Sequence, residues 1–337
     1  MKVLMVLSNP FRPDMRPYHE AQSLIKKGYS VDILAFDHKS EFPTKEIYDR
    51  INILRVRPSV KTGIFKVDYI LNSFLLYVHV FFLDFDIIHC HDFETIVCGY
   101  IAKIRGKKAV IDIHENISAN LFRGKLYYIV RKIEKMLYIP FDVRITVNEY
   151  LSKLYNATVI YNTKSRTWAD FHKKTALFTL GYSGNMDKHK IEALSKLKKF
   201  RILIFTSKMK EGTENMIYHP FVRGMDYYKT ISKEVDVFTI LYDPDNFYVQ
   251  EVYTTANKVF EGIAFGIPVI TFDVGFNAEI VKKYRIGEVC TKENIVQKIL
   301  KIRDNYEYYQ KNCKKAYKDF NWDKEEKKLL KIYEELI

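Results

Sequence analysis

The chain has 337 residues, of which 47% are hydrophobic and 28% charged, and its formal net charge is +13. This length is typical of two ordinary domains, and the apolar share argues against a disordered chain. A positive charge of this size suits nucleic acid, an anionic membrane surface or a phosphorylated ligand. The four cysteines include no Cys-x-x-Cys pair, so we expect free thiols in a reducing cytoplasm and neither a disulfide framework nor a zinc site.

Strand-like and helix-like segments alternate along the first half of the chain. Strands are predicted at residues 2–7, 30–36, 51–57, 86–91, 108–115, 142–148 and 158–162. Helices are predicted at residues 16–28, 69–83, 93–106 and 119–138. The polar segment 162–176 has no apolar period, and we interpret it as a linker.

The apolar segment 69–83 is the nearest approach to a membrane span. It contains Asn72, Ser73 and His79 and is shorter than the roughly 20 residues that cross a bilayer. This favours a buried helix, with a membrane-dipping helix as the alternative.

The second half of the chain repeats the alternation. Strands are predicted at residues 177–184, 201–207, 219–225, 236–243, 268–273 and 286–290. Helices are predicted at residues 189–200, 226–235, 255–266, 277–284, 293–320 and 322–337. Two such arrays predict an α/β protein with two facing Rossmann-like, doubly wound domains, whose strand ends frame a ligand cleft.

The segment 254–273, "TTANKVFEGIAFGIPVITFD", holds the clearest candidate site. We expect its helix to start near residues 255–257, with Thr255 or Asn257 as N-cap, and to end at Gly266. Free N–H groups at such a helix start bind anions, so a diphosphate fits there, with Lys258 assisting.

Glu261 lies about one turn deeper in the same helix. A carboxylate there can accept two hydrogen bonds from vicinal hydroxyls such as those of a ribose. The alternative is a solvated residue paired with Lys258 at i, i+3.

Taken together, these segments resemble GT-B glycosyltransferases of the family 4 type, which are retaining and use nucleotide sugars. The residues of the helix-to-strand segment that match the family pattern are Asn257, Lys258, Phe260, Glu261, Gly266, Pro268, Val269 and Ile270. Further resemblance lies in "NPFRPDMRPYHEAQSLIKKGYSVDILAF", "FDIIHCHDFETIVCGYIAKIRGKKAVIDIHE", "ATVIYNTKS" and "LGYSGNMDKHKIEAL".

The resemblance implies a division of labour between the domains. Residues 1–165 form the acceptor-binding domain, residues 166–321 bind the nucleotide sugar, and residues 322–337 form a helix that packs back on the N-terminal domain. Glu261 is then the ribose-binding carboxylate. The helix start, with Thr255, holds the diphosphate.

Further donor contacts follow from the resemblance. Thr254 stands where many members carry a glutamate that touches the donor sugar, which is a departure from the pattern. Gly184 allows the backbone to approach the phosphates, and Asn185 replaces a usual basic neighbour. One of three lysines is expected to neutralise the leaving diphosphate, although each is also compatible with plain surface: Lys188, Lys190 and Lys208.

His114 ends a predicted strand at the edge of the cleft. The resemblance implies that it contacts the transferred sugar or an acceptor hydroxyl as the catalytic residue. The alternative is a structural histidine bonded to Glu115 or to backbone. His89 and His91 with Asp92 suggest a metal site, but the resemblance implies none.

Two basic features complete the candidate set. Arg12 and Arg16 lie in the loop after the first strand. One interpretation is that they bind a phosphate of the donor or the acceptor, and the alternative is that they only keep the loop soluble. The segment 120–141 interleaves apolar with basic residues, which predicts either a membrane-surface contact or a core helix with a solvated basic face.

The function that we infer is transfer of a sugar from a nucleotide-diphosphate donor to a glycan or polyprenyl-linked acceptor, with retention of configuration. A UDP-sugar is favoured over a GDP-sugar as co-substrate, and no cofactor or metal is expected. The alternatives are a nucleotide-sugar epimerase of the same fold and a basic, non-catalytic binding protein. No nucleic-acid motif is recognisable, so nucleic acid is not expected as a partner. The expected location is cytoplasmic, with peripheral attachment to the inner face of the cell membrane as an option.

Overall fold

The computed structural model describes residues 1–12, 14–60, 62, 65–184, 188–206, 213–219, 224–252 and 256–337, with the backbone alone for 65–71, 188–189 and 251–252. The chain divides into two compact units. Unit 1 comprises Met1–Ile160 and Glu326–Ile337, and unit 2 comprises Tyr161–Glu325.

The strands and helices of the first 160 residues alternate. The strands are β1 Lys2–Leu7, β2 Ser30–Phe36, β3 Lys45–Tyr48, β4 Ile51–Val56, β5 Ile87–His91, β6 Lys108–Ile113, β7 Val143–Thr146 and β8 Thr158–Val159. The helices are α1 Met15–Lys26, α2 Phe65–Phe82, α3 Ile96–Ile104, α4 Ile117–Leu121, α5 Gly124–Leu137 and α6 Glu149–Tyr155. The sheet order is β3-β4-β2-β1-β5-β6-β7-β8, and its pairings are parallel except that β3 is antiparallel to β4.

The later part of the chain alternates in the same way. The strands are β9 Thr179–Ser183, β10 Arg201–Phe205, β11 Met216–His219, β12 Val237–Ile240, β13 Val269–Phe272 and β14 Gly287–Cys290. The helices are α7 Lys188–Ser195, α8 Gly224–Glu234, α9 Phe247–Val252, α10 Asn257–Phe265, α11 Gly275–Tyr284, α12 Ile295–Asp304, α13 Tyr306–Ala316 and α14 Trp322–Glu335. The strands form a parallel sheet in the order β11-β10-β9-β12-β13-β14.

Successive residues of a strand are buried on opposite faces of the sheet, which explains why the strands are almost wholly apolar. In β1, Val3 and Met5 join the core under α1 and α14, whereas Leu4 and Val6 join the core under α2 and α3. A sheet with helices on both faces buries successive residues on opposite sides. The two parallel, helix-flanked sheets confirm the predicted α/β, doubly wound fold class.

The differences from prediction lie in short or polar segments. The edge strand β3 was not predicted, because only one of its four residues is even half-buried. The strand expected at 219–225 overlaps the described strand β11 only at His219, and α8 already starts at Gly224; residues 220–223 lie outside the described residues. The helix expected at 293–320 is interrupted at Asn305, whose backbone leaves the helical region and whose side chain bonds the Lys301 carbonyl at 3.0 Å.

The apolar segment predicted at 69–83 forms the C-terminal part of α2. Its inward residues Leu76 and Val80 are buried, while Phe74 and Phe82 are exposed. In the parts of the chain that the structure describes, no helix combines the length and the apolar character needed to cross a bilayer.

Candidate functional site

Glu261 is buried in α10, with only 3% of its surface exposed. Its Oε2 accepts a hydrogen bond of 3.2 Å from the Tyr227 hydroxyl on α8. Tyr227 also hydrogen-bonds the side chain of Ser183, at the end of β9. Burial, reinforced by Glu261, raises the pKa of Tyr227 well above its usual value, so the phenol stays neutral. The alternative of a solvated Glu261 is therefore wrong, and the carboxylate lies near the carboxyl end of the central strand of unit 2.

The start of α10 differs in detail from the prediction. Its N-cap is Ala256, not Thr255 or Asn257, and an alanine has no side-chain acceptor for the N–H groups of the first turn. The backbone N–H of Ala256 donates to Asn277 Oδ1 at 2.8 Å, which anchors the cap. Asn257 is exposed, and the Lys258 ammonium lies 5.9 Å from the ring centroid of Tyr227. The first turn thus leaves donors that an anionic group can bind.

Gly184 directly follows β9. Its φ of +140° is strained for any residue with a side chain, and its N–H donates to the Phe205 carbonyl at 3.1 Å. A Cβ at this position would be in ordinary van der Waals contact with the Tyr182 hydroxyl at 3.5 Å, so the backbone conformation, not a steric clash, favours glycine here.

The remaining donor candidates are only partly described. Lys190 is half-buried in α7. The following predicted contacts lie outside the described residues or, for Lys188, outside the described side chains: Asn185, Lys188, Lys208, Thr254 and Thr255.

In unit 1, His114 follows β6 and is held by two aspartates. Its Nε2 lies 2.7 Å from Asp112 Oδ2, and its Nδ1 lies 3.3 Å from Asp92 Oδ2. Burial lowers the pKa of His114, but Asp112 and Asp92 outweigh burial and raise it to about 10. The imidazole is thus a cation at neutral pH, and its partners are not Glu115 or backbone as the structural alternative supposed.

Arg16 is not in a loop, which corrects the prediction. It lies in the first turn of α1 and is 3% exposed. Its Nε and Nη2 donate to the two oxygens of Asp112 at 2.6 and 2.9 Å, and its Nη1 donates to the Ile160 carbonyl at 2.9 Å. Burial raises the pKa of Asp112, but the charges of Arg16 and His114 outweigh it and hold that pKa well below its usual value. Arg12 is exposed and lies over the Phe42 ring at 5.0 Å.

The same region of unit 1 contains polar groups that sequence reasoning missed. Glu20, one turn after Arg16, is fully buried, and so is Tyr333 of α14, whose hydroxyl lies 2.8 Å from His89 Nδ1. Burial raises the pKa of Glu20 and lowers those of His89 and His91, so both imidazoles are neutral. The local signals for this cluster were the His-x-His spacing of His89 and His91 and the i, i+4 spacing of Arg16 and Glu20.

The segment 120–141 forms the end of α4 and all of α5, separated by Phe122 and Arg123. One side of α5 packs inward through Tyr127 and Glu134. The other side exposes an apolar stripe at helical spacing, with basic residues beside it. The stripe consists of Leu126, Ile129, Ile133 and Met136, and the basic neighbours are Arg123, Lys125, Arg131, Lys132 and Lys135. The outward face is therefore amphipathic and not simply basic.

Comparison with known proteins agrees with the predicted resemblance. Residues 17–168 match the sequence model of Glycosyltransferase Family 4. The structure is similar to sucrose-phosphate synthase from Thermosynechococcus elongatus, with a TM-score of 0.73 and 12% identity over 100% of this chain and 99% of that one. It is also similar to Anabaena HepE in complex with UDP, with a TM-score of 0.64 and 11% identity over 99% and 100% of the two chains.

A third similar structure is trehalose-6-phosphate synthase, from work on glycosyl transfer with retention, with a TM-score of 0.63 and 10% identity over 99% of each chain. No curated protein sequence is a significant match. At these identities the structural matches establish the fold. Residues 17–168 therefore resemble the Glycosyltransferase Family 4 model, and the chain has the GT-B fold of two Rossmann-like domains.

Proposed function

We propose that the protein transfers a sugar from a nucleotide-diphosphate donor to a glycan or lipid-linked acceptor, with retention of configuration. The observation that carries this proposal is Glu261, a buried carboxylate one turn inside a helix whose N-cap has no side-chain acceptor. The similarity to HepE, solved with UDP, supports a UDP-sugar. The similarity to trehalose-6-phosphate synthase supports retention.

In this proposal, unit 2 binds the nucleotide. The ribose hydroxyls donate to Glu261, the diphosphate accepts from the N–H groups at the start of α10, and Gly184, which has no side chain, lets the phosphates approach the backbone. Lys258 adds a positive charge to the same helix turn. Tyr227 positions the carboxylate through its 3.2 Å hydrogen bond. Such fixed donors stabilise the charge that develops on the leaving diphosphate.

Unit 1 supplies the sugar contact through His114, as the family resemblance implies. Asp112 fixes the ring from the buried side, whereas Asp92 lies on the more exposed side at 3.3 Å. A substrate hydroxyl can replace that longer contact, donating to Asp92 and accepting from Nδ1–H of the cationic ring. His114 would thereby orient the transferred sugar or the acceptor.

Calorimetric titration with UDP, GDP and dTDP sugars tests the donor site. We expect a UDP-sugar to bind, and Glu261→Gln to weaken it at least tenfold, because the acceptor loses its charge and one of its two oxygens becomes an amide donor facing a ribose hydroxyl. Glu279→Gln, at an exposed glutamate on α11, is the matched control and should leave the affinity unchanged. Equal affinity in the Glu261 variant would refute the site, and formation of an epimer from donor alone would favour the epimerase.

We further propose that the apolar stripe of α5 contacts an anionic membrane surface, which would bring the enzyme to a lipid-linked acceptor. Phe82 of α2 and Ile104 of α3 are also exposed apolar residues, and α2, α3 and the end of α5 contribute to the same core. Apolar burial combined with basic residues is what interfacial helices use.

Sedimentation with phosphatidylglycerol vesicles tests the membrane contact. We expect binding that weakens with salt and is lost in Ile129→Glu/Ile133→Glu. Ile47→Glu, which makes the same substitution once at an exposed isoleucine of β3, is the control, and it is compared with Ile129→Glu and Ile133→Glu singly as well as together. If the double variant sediments like the control, the stripe is not a membrane contact.

A further inference from the structure

Three buried side chains converge inside unit 1, next to His114, whose ring centroid lies 5.9 Å from that of His91. His89 and His91 lie two residues apart on β5 and so face the same side of the sheet, where Glu20 of α1 meets them. Glu20 and His89 are fully buried, and His91 is 2% exposed. The Oε2 atom of Glu20 lies 4.0 Å from His89 Nε2 and 3.8 Å from His91 Nε2.

These converging atoms have no hydrogen-bond partners among the described residues. The orphaned atoms include both imidazole Nε2 atoms and both oxygens of Glu20. Oε1 of Glu20 has the charge of Arg16 nearby, with Nε at 3.3 Å, whereas Oε2 faces the two imidazoles. Polar atoms buried without partners destabilise the fold and are rare in folded proteins. The two Nε2 atoms and Oε2 of Glu20 therefore indicate a bound ligand.

The opposite ring nitrogen of His89 is oriented by an oxygen atom, because His89 Nδ1 lies 2.8 Å from the Tyr333 hydroxyl. Histidines that bind metals characteristically hold the second ring nitrogen against an oxygen, which fixes the tautomer and aims the free nitrogen at the ion. His89 shows this arrangement. His91 Nδ1 has no hydrogen-bond partner among the described residues, and Asp112 Oδ2 lies 3.5 Å from it.

We propose that Glu20, His89 and His91 bind a divalent transition metal of the zinc class, with Tyr333 orienting the imidazole of His89. Two imidazoles and one carboxylate are an established zinc ligand set. Ligand atoms around a tetrahedral zinc ion lie about 3.4 Å apart, so the two separations of Glu20 Oε2, 4.0 and 3.8 Å, need to close by only about half an ångström. All the candidate ligand atoms lie within 4.8 Å of one another.

The positive charge of Arg16 lies close to the proposed site and would repel a metal ion. Its guanidinium donates to both oxygens of Asp112, so the carboxylate of Asp112 already compensates this charge. The site lies between α1 and β5 and would link the first helix to the sheet. It contradicts the expectation of a metal-free protein and does not depend on the donor site.

Metal content of the full chain tests this proposal. Protein expressed with supplemental Zn²⁺ and desalted should retain about one equivalent by mass spectrometry, and EDTA should lower both the metal content and the Tm. His91→Gln should lose the ion and the EDTA sensitivity. His38→Gln, at another histidine of unit 1, should keep both.

A spectroscopic measurement on the wild type covers the case in which His91→Gln does not fold. The Zn²⁺-loaded protein should show nitrogen and oxygen neighbours, including imidazole, and no sulfur in X-ray absorption. Co²⁺ in its place should give tetrahedral d–d bands. The proposal is overturned if the wild-type protein retains no Zn²⁺ and its Tm does not change on Zn²⁺ addition. Sulfur ligation of the ion would also overturn it, and so would an unchanged ion content in a folded His91→Gln variant.

Discussion

Replacing Asp112 with asparagine should strongly destabilise unit 1. The substitution keeps the shape of the side chain but removes the charge that Arg16 and His114 face at 2.6 and 2.7 Å. Arg16 would remain buried, with Glu20 at 3.3 Å as its nearest acid. A buried charge that loses its partner is far more costly than a broken surface pair.

The expected loss follows from these contacts. Removing one partner of a buried ion pair costs about 3–5 kcal/mol, and the residual pairing with Glu20 places Asp112→Asn near the lower end. For a unit of this size, about 3 kcal/mol lowers the Tm by roughly 6–12 °C.

Scanning calorimetry combined with hydrogen exchange of the β6 amides is the suitable assay. Tryptophan fluorescence is not, because both tryptophans, Trp168 and Trp322, lie in unit 2. Asp32→Asn is the control: it alters a half-exposed pair with Lys2 at 2.8 Å and should cost about 1 kcal/mol or less. If Asp112→Asn costs no more than this control, Arg16 is not held as a buried, compensated charge, and the reasoning fails.

Three further predictions concern unit 2. Tyr227→Phe should weaken UDP-sugar binding about fivefold, measured by calorimetry, because Glu261 loses the hydrogen bond that positions it; unchanged affinity would contradict this role. Gly287→Ala should lower the free energy of unfolding in urea by about 3 kcal/mol, because the added Cβ would lie 1.7 Å from the Val269 carbonyl oxygen. An unchanged free energy of unfolding would show that β13 and β14 can separate. Burial raises the pKa of Glu288, but hydrogen bonds from two lysines and a tyrosine outweigh burial, so the pKa lies below its usual value. The stability that Glu288 contributes is therefore present above the unfolded pKa of 4.5 and is lost as the pH falls through the folded pKa. The advantage of the wild type over Glu288→Gln, about 1 kcal/mol at neutral pH, should therefore shrink below about pH 4.5, and a gap independent of pH would rule out this ionic contribution.

The segment 254–273 shows how far a local pattern can be interpreted. The helix and its end at Gly266 were predictable, because amphipathic spacing and a C-terminal glycine are local signals. The cap at Ala256 was not predictable, because its anchor, Asn277, lies 21 residues away in another helix. The burial of Glu261 was also undecided, because the exposure of a helix face depends on what packs against it.

The sequence by itself determined the two α/β arrays, because buried parallel strands and capped helices leave periodic apolar patterns within a few residues. It also carried the family resemblance, through motif residues such as those of the segment 254–273. Only the tertiary structure decided the chemistry inside unit 1. Arg16 meets Asp112 across 96 residues, and Tyr333 meets His89 across 244. Such contacts carry no signal in the spacing of neighbouring residues, because they arise only when the sheet is assembled and helices cover both of its faces.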